Sequence, residues 1–366
     1  MQSENQSHHN LYQPREIKFF NDSNLIVSGI TQSGKTSFVF HSLQFIDENY
    51  LYIDFDDGIF YINKLIEIIQ NSSLTNKTLV IDIYNLNIND YMYKILEIIK
   101  NANAKRLIII SWLPIKLENF QNIYIYPLNF EEFLSFHNSI DNIDNLDGLF
   151  VKYSQIGGFP IFAKYSDQNL TKHLKRLLKC SITDFDIDLL RDIADNVGVP
   201  RSIFNIYESI KKRRAVSKDK LYKKLSELIE QGYIFSIVEY QKSSIFKYFL
   251  IDQTLQSIFE SKKDFSRLFE LMVVSELRKR DLSGFFYRNI EIYISETKTA
   301  ILPFPFAESS IFEKIIKRTL RNLKTLGAEK LQIITMNFEE TYSYKSKNSP
   351  EILFEAIKFT RWALTL

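Results

Sequence analysis

The chain has 366 residues, enough for two or three domains that each bury a core. Its 45% hydrophobic and 25% charged residues are a globular composition, and a formal net charge of +2 excludes a protein that binds nucleic acid by bulk charge alone. A single cysteine, Cys180, excludes an internal disulfide and fits a reducing compartment.

Residues 1–10 are polar and lack the apolar core of a secretory signal. His8 and His9 in this leader have no partner residues of the kind a metal site needs. The longest apolar run near the middle, residues 107–115, is broken by Ser111 and Pro114. It falls well short of the roughly twenty residues a spanning helix requires. A cytoplasmic protein without a membrane partner is expected.

Residues 25–27 read as a buried strand leading into Gly29-Ile30-Thr31-Gln32-Ser33-Gly34-Lys35-Thr36-Ser37. Gly29, Gly34, Lys35 and Thr36 fit the phosphate-loop pattern G-x-x-x-x-G-K-[ST]. Only 10 of the 366 residues are glycine, which makes a chance match improbable. In such a loop backbone N–H groups wrap a polyphosphate and the following helix points its positive end at it. Lys35 would reach the β- and γ-phosphates of ATP, and the Thr36 hydroxyl would ligate Mg²⁺.

Apolar runs of strand length follow at residues 50–55, 79–83, 107–111 and 123–126. Residues 62–69 and 91–99 between them carry apolar side chains at helical spacing. Strands alternating with helices predict an α/β domain with a parallel sheet covered on both faces, its ligand at the carboxyl ends of the strands. Asp82 ends one such strand, where a Walker-B aspartate would hold Mg²⁺ with Thr36; it is the one candidate catalytic residue. Hydrolytic P-loop ATPases usually carry a glutamate next, to activate water, and this chain has Ile83. Asp54, Asp56 and Asp57 offer carboxylates at the neighbouring strand end and otherwise read as loop residues. Ser111 ends the following strand, where a polar sensor of the γ-phosphate is expected.

Two further stretches extend the pattern: Tyr126-Pro127-Leu128-Asn129-Phe130-Glu131-Glu132-Phe133-Leu134, and Gln155-Ile156-Gly157-Gly158-Phe159-Pro160. With the P-loop and the strand ending at Asp82, they resemble, in order, a family of prokaryotic AAA+-like ATPases. Members of that family carry a helical lid, a winged helix and a restriction-endonuclease-like C-terminal domain. The resemblance implies a P-loop NTPase parallel-sheet domain over 15–135, a lid over 136–180, a winged helix over 181–255 and a small α/β nuclease-like domain over 256–366. The departures are specific. The family has Asp-Glu where this chain has Asp82-Ile83, and a Gly-Arg pair before its "PL" segment, whereas residues 113–126 contain no arginine. The resemblance carries nucleotide binding over, and not efficient hydrolysis.

In the lid region Leu149, Phe150, Tyr153 and Ile156 precede the Gly157-Gly158-Phe159-Pro160 segment, itself also a plain helix boundary. Leu170, Leu174, Leu177 and Leu178 continue a helical pattern. His173 sits among lysines and an arginine on a solvated face, and Cys180 has no motif that would make it a nucleophile.

Three helical patterns follow, the first ending at Gly198, the second starting after Pro200, and the third capped by Ser217 and stopping at Gly232. Two strand runs, residues 233–240 and 245–251, complete the order of a winged helix. Lys211, Lys212, Arg213, Arg214, Lys218, Lys220, Lys223 and Lys224 crowd fourteen residues, opposed in sequence only by Asp219. Two readings stand: contact with the phosphates of duplex DNA, or a solvated face on a module that docks a protein partner or a second copy of the chain. No Asn or Gln stands early on the third helix to read a base.

The last third reads as a helix, three strands, a strongly amphipathic helix closed by Gly327, a strand over 331–335 and a final helix over 351–362. A nuclease of the resembling type needs an Asp and a Glu on Mg²⁺ with a nearby Lys. Its "EID" position here reads Glu291-Ile292-Tyr293, and its "ExK" strand reads Ile301-Leu302-Pro303-Phe304-Pro305-Phe306. Glu270, Glu276 and Glu308 remain and read as surface or helix residues, so the domain is expected to be catalytically inactive. The expected whole is an ATP- and Mg²⁺-binding switch with slow hydrolysis. The alternative is a winged-helix DNA-binding or partner-docking scaffold that holds nucleotide structurally.

Overall fold

Parallel strands buried on both faces organise the first third of the chain. The computed structural model describes residues 15, 17, 23–46, 48–54, 67, 76–83, 104–137, 145–164, 172, 174–178, 182–346 and 349–366. The chain divides into two compact units between Tyr126 and Pro127. In the first, β1 (Asn24–Ser28), β2 (Tyr50–Asp54), β3 (Thr78–Ile83), β4 (Arg106–Ser111) and β5 (Phe120–Tyr124) form one sheet in the order β2-β3-β4-β1-β5. Every pairing in it is parallel.

The near-continuous runs of β3 and β4 are buried along their whole length, the pattern of a sheet covered on both sides. Helix α1 (Lys35–Phe45) packs Phe38, Val39 and Leu43 onto Leu25, Val27, Ile108 and Ile110. The fifth strand begins and ends earlier than its apolar run suggested, and the Ile125 N–H that follows it completes the ladder by donating to the Ser28 carbonyl at 2.7 Å. The expected helices over 62–69 and 91–99 lie outside the described residues, apart from Glu67, as do His8, His9, Asp56, Asp57, His173 and Cys180.

The second unit opens with α2 (Phe130–Phe136), closed at its start by a reciprocal Asn129–Glu132 capping box. Residues 127–135, read from sequence with the sheet domain, lie with the second unit because Phe130 and Phe133 pack on Tyr153 at 5.3 and 5.0 Å between ring centres. Helices α3 (Leu146–Ile156) and α4 (Pro160–Lys164) follow.

Next come α5 (Asp184–Asp195), α6 (Ile203–Lys211) and α7 (Lys218–Glu230), capped by Thr183, Ser202 and Ser217. An antiparallel ribbon follows, β6 (Ile234–Val238) with β7 (Phe246–Leu250). Arg201, between α5 and α6, bridges Phe246 as a one-residue third strand.

Helices α8 (Gln253–Phe259) and α9 (Phe265–Lys279) lead into β8 (Phe285–Tyr287), β9 (Ile290–Ile294), β10 (Thr299–Pro303), α10 (Ser309–Leu326) and β11 (Lys330–Thr335). The chain closes with β12 (Glu340–Ser346), β13 (Ser349–Lys358) and α11 (Phe359–Ala363), giving a mixed sheet ordered β12-β13-β11-β10-β9-β8.

The expected final helix over 351–362 is thus mostly a strand. Ile352, Phe354 and Ala356 are buried while Leu353 and Glu355 are half-exposed, a period of two that an α-helix cannot bury on one face. Among the described residues no helix is long and apolar enough to cross a membrane.

Candidate nucleotide site

The loop between β1 and α1 turns tightly at the carboxyl end of the sheet. Gly29 has φ +152°, and a Cβ there would stand 2.3 Å from the Ile125 carbonyl oxygen, so backbone packing demands glycine. Gly34 caps α1 with φ 91° and supplies no side chain, and the first turn of α1 holds no acid. No side chain of the first turn offsets the positive end of this helix. Ile30, Thr31 and Ser33 are buried, Gln32 is half-buried and left-handed at φ 65°, and Ser37 is exposed. The buried Ser33 hydroxyl has no hydrogen-bond partner among the described residues.

Lys35 folds back over the loop, its Nζ donating to the Gly29 and Ile30 carbonyls at 2.9 and 3.0 Å. Burial lowers its pKa to about 8, against the opposing pull of Asp82. The Thr36 hydroxyl donates to Asp82 Oδ2 at 2.7 Å, and the Tyr52 hydroxyl donates to the same oxygen at 3.2 Å. The contact spans β4, which lies between the strands that carry the loop and Asp82. Burial raises the Asp82 pKa; the Asp54 carboxylate adds to this, while the Thr36 and Tyr52 hydroxyls and Lys35 counter it.

Thr36 and Asp82 fit a Mg²⁺ ion, since a hydroxyl and a destabilised carboxylate converge where added positive charge is favourable. Among the described residues no three His, Cys, Asp or Glu form a protein-only metal cluster. Mg²⁺ would therefore lean on phosphate oxygens and water. Ile83, in the place of the water-activating glutamate, is fully buried in the core. Asp54 stands opposite Asp82 in the β2–β3 register, a carboxylate at a strand end rather than in a loop. Ser111 closes β4 beside Ser28 of β1, buried, its Oγ accepting the Leu113 N–H at 3.1 Å.

Two residues of this site carried no sequence signal. Tyr52 reads as an ordinary strand aromatic until the register sets it beside Asp82. Arg15 donates from Nη1 to the Tyr126 carbonyl at 2.7 Å and from Nη2 to the Ser33 carbonyl at 2.6 Å. Nothing in spacing links Arg15 to the crest of a loop eighteen residues on.

The basic cluster of the second unit divides in two. Lys211, Lys212, Arg213, Lys218, Lys220 and Lys223 are exposed on α6, α7 and the turn between them. Lys218 lies over the rings of Phe204 and Tyr207 at 5.0 and 5.6 Å. Arg214 and Lys224 are committed to α5, pairing with Asp188 at 3.2 Å and Asp186 at 3.3 Å. Asp219 is therefore not the cluster's sole opposing charge, because folding brings α5 acids against it.

Of the glutamates read as surface or helix residues, Glu308 is exposed, and Glu270 and Glu276 lie in α9, where both are engaged by cations. Glu276 is fully buried, accepting from the Tyr153 hydroxyl at 2.6 Å, the Phe130 N–H at 3.1 Å and Arg280 Nη1 at 2.6 Å. Glu270 receives Lys247 at 2.9 Å, and the same ammonium ion also pairs with Glu291. Tyr293, where a metal-binding aspartate would stand, donates its hydroxyl to the Leu326 carbonyl at 2.9 Å.

No known family model matches the chain, and no curated protein does. Among solved structures it is similar to a Walker-type ATPase of Pyrococcus abyssi, at 12% identity over 64% of this chain and 90% of that one, with a TM-score of 0.44. The Thermotoga maritima RuvB Holliday junction branch migration motor is similar at 14% identity over 58% and 81%, with a TM-score of 0.33. A Pyrococcus horikoshii signal transduction ATPase with a tetratricopeptide repeat sensor is similar at 16% identity over 70% and 43%, with a TM-score of 0.29. These likenesses are distant, and the functional reading stands on the geometry of the loop.

Proposed function

We propose that the chain binds ATP with Mg²⁺ at the β1–α1 loop and works as a nucleotide-dependent switch of the AAA+ type with slow hydrolysis. The observation that carries this is the 2.7 Å approach of Thr36 to Asp82 across an intervening strand, beside a buried lysine whose hydrogen-bond acceptors, among the described residues, are two carbonyls. The loop N–H groups and Lys35 would hold the phosphates, and Thr36 and Asp82 would hold the metal. Mg²⁺ would supply neutralisation of phosphate charge. Hydrolysis is slow because Ile83 offers no carboxylate to orient water.

Lys35→Ala removes the lysine's charge-assisted bonds to phosphate, and a fluorescent ATP analogue should lose roughly 100-fold or more in affinity. Unchanged affinity would sink the proposal. Residual turnover that vanishes in Asp54→Asn with binding intact would assign the missing carboxylate role to Asp54.

The three helices, the Arg201 bridge and the ribbon support a winged-helix reading of residues 181–255, and the exposed α6–α7 lysines support duplex DNA as its partner. The same face would alternatively dock a protein or a second copy of the chain. Lys247 neutralising Glu291, with Tyr293 and Pro303 in the other positions, supports an inactive nuclease-like domain over 256–366. Retention of duplex DNA that weakens steeply with salt tests the DNA reading. Salt-independent behaviour or no binding favours the docking one.

A further inference from the structure

We propose that Arg15 is a positioning residue of the phosphate loop, one that holds the Ser33 carbonyl so that the Gly34 N–H is turned to the opposite side, ready for a phosphate oxygen. This rests on the nucleotide reading above and deepens it.

The peptide joining Ser33 to Gly34 is trans, as is every described peptide bond. In a trans peptide the C=O and the N–H lie in one plane and point in opposite directions. A guanidinium fixed on the Ser33 oxygen at 2.6 Å therefore fixes the direction of the Gly34 donor as well. The crest needs such a support, because Gln32 and Gly34 both have positive φ, and glycine there gives the backbone no side chain to lock it.

Arg15 is itself anchored. Its other nitrogen is held by the Tyr126 carbonyl at 2.7 Å. That segment is fastened to the base of the loop, through Ile125 N–H to Ser28 O at 2.7 Å and through the Ile125 oxygen that lies against Gly29. A planar fork with several donors can hold two carbonyls at once with little loss of side-chain freedom, which a lysine does less well. Lys35 performs the matching task on the Gly29 and Ile30 carbonyls at the loop's start. The loop is thus pinned through its carbonyls by two cations, and its N–H groups are set in advance of the ligand.

The test uses the full chain with Arg15→Ala and Arg15→Lys, and inorganic tripolyphosphate beside ATP as probes. Loss of one aligned donor to a charged oxygen predicts about a tenfold weaker affinity for both probes in Arg15→Ala, with part of it regained in Arg15→Lys. Because the chain has 10 glycines, a ¹⁵N-glycine spectrum is sparse enough to follow Gly34 directly. Tripolyphosphate should shift the Gly34 amide strongly in the wild type and weakly in Arg15→Ala.

Equal affinities and equal shifts in wild type and Arg15→Ala would overturn the proposal while leaving the nucleotide site standing. A loss confined to ATP, with tripolyphosphate unaffected, would also overturn it, since Arg15 would then act on the nucleoside. A wild type that binds neither probe overturns both this proposal and the site itself. If Arg15→Ala does not fold, Arg15→Lys decides: it must bind both probes more weakly than wild type by the same factor, and wild-type affinity overturns the proposal.

Discussion

Two of the buried charge sets among the described residues, one in each unit, are built differently. In the second unit Glu276, Asp252, Lys279 and Arg280 form a closed group. Lys279 Nζ reaches the Leu128 carbonyl at 3.0 Å, the Tyr153 hydroxyl at 3.0 Å and Asp252 at 3.3 Å. Asp252 in turn accepts the Gly158 and Thr254 N–H groups, each at 2.9 Å. Arg280 pairs with Glu276 and holds the Ala363 carbonyl at 2.9 Å. Two carboxylates meet two cations, and the group is complete in itself. In the first unit Lys35 has two carbonyls and, among the described residues, no carboxylate at ion-pair distance, while Asp82 is met by hydroxyls. A closed set fastens segments together, whereas an incomplete one has something left to bind.

The sharpest way to break this contrast is to remove one charge from each set and compare signs. Glu276→Ala leaves the Phe130 N–H without an acceptor and Arg280 with only the more distant Glu131, at 3.5 Å, as an ion-pair partner among the described residues. It should cost about 3–5 kcal/mol in denaturant unfolding, with ATP affinity unchanged. Lys35→Met should do the reverse. A pKa lowered from 10.5 to about 8 means burial opposes the protonated form, by roughly 3 kcal/mol. Removing that charge should therefore raise stability at pH 7 by up to about 3 kcal/mol while abolishing ATP binding. Destabilisation by both variants would erase the distinction.

The pH dependence sharpens the same point. Below about pH 8 Lys35 is protonated both folded and unfolded, and the full burial penalty is present. Between about 8 and 10.5 the folded state has released the proton and the unfolded state has not, so stability of the free protein rises with pH in that window. Polyphosphate favours the protonated amine, so ATP binding takes up a proton there. Affinity should fall about tenfold per pH unit above about 8, measured by titration calorimetry in two buffers of different ionisation heat. A flat profile from pH 7 to 9.5 would mean that Lys35 does not meet the phosphates.

The smallest expected effect concerns the α6–α7 face. Reversing Lys212 and Arg213, which are exposed, should lower the slope of log affinity for duplex DNA against log salt by about 0.9 per lost phosphate contact. Reversing Lys224, tied to Asp186 and Glu227, should instead show chiefly as lost stability.

The sequence by itself determined whatever lies within a few residues along the chain. Gly29, Gly34, Lys35 and Thr36 belong to one strand–loop–helix, so spacing alone names their chemistry, and Ser217 and Gly232 bracket α7 for the same local reason. Asp82 was legible because a strand end is a local event. The final strand was missed because Glu351 to Trp362 satisfies a loose helical count. Only pairing with β11 and β12 selects the alternation that buries Ile352, Phe354 and Ala356.

What tertiary structure alone decided is which distant groups share a space. The parallel register sets Asp54 opposite Asp82 and lets Tyr52 reach it, and the packing of α2 and α3 against α9 makes Glu276, a residue of that helix, a buried acceptor. The fold also brings Arg15 to the crest of the phosphate loop. A hydrogen bond between residues far apart in the chain leaves no periodicity, because neither partner constrains its own neighbours; only the packed tertiary structure fixes the distance between them.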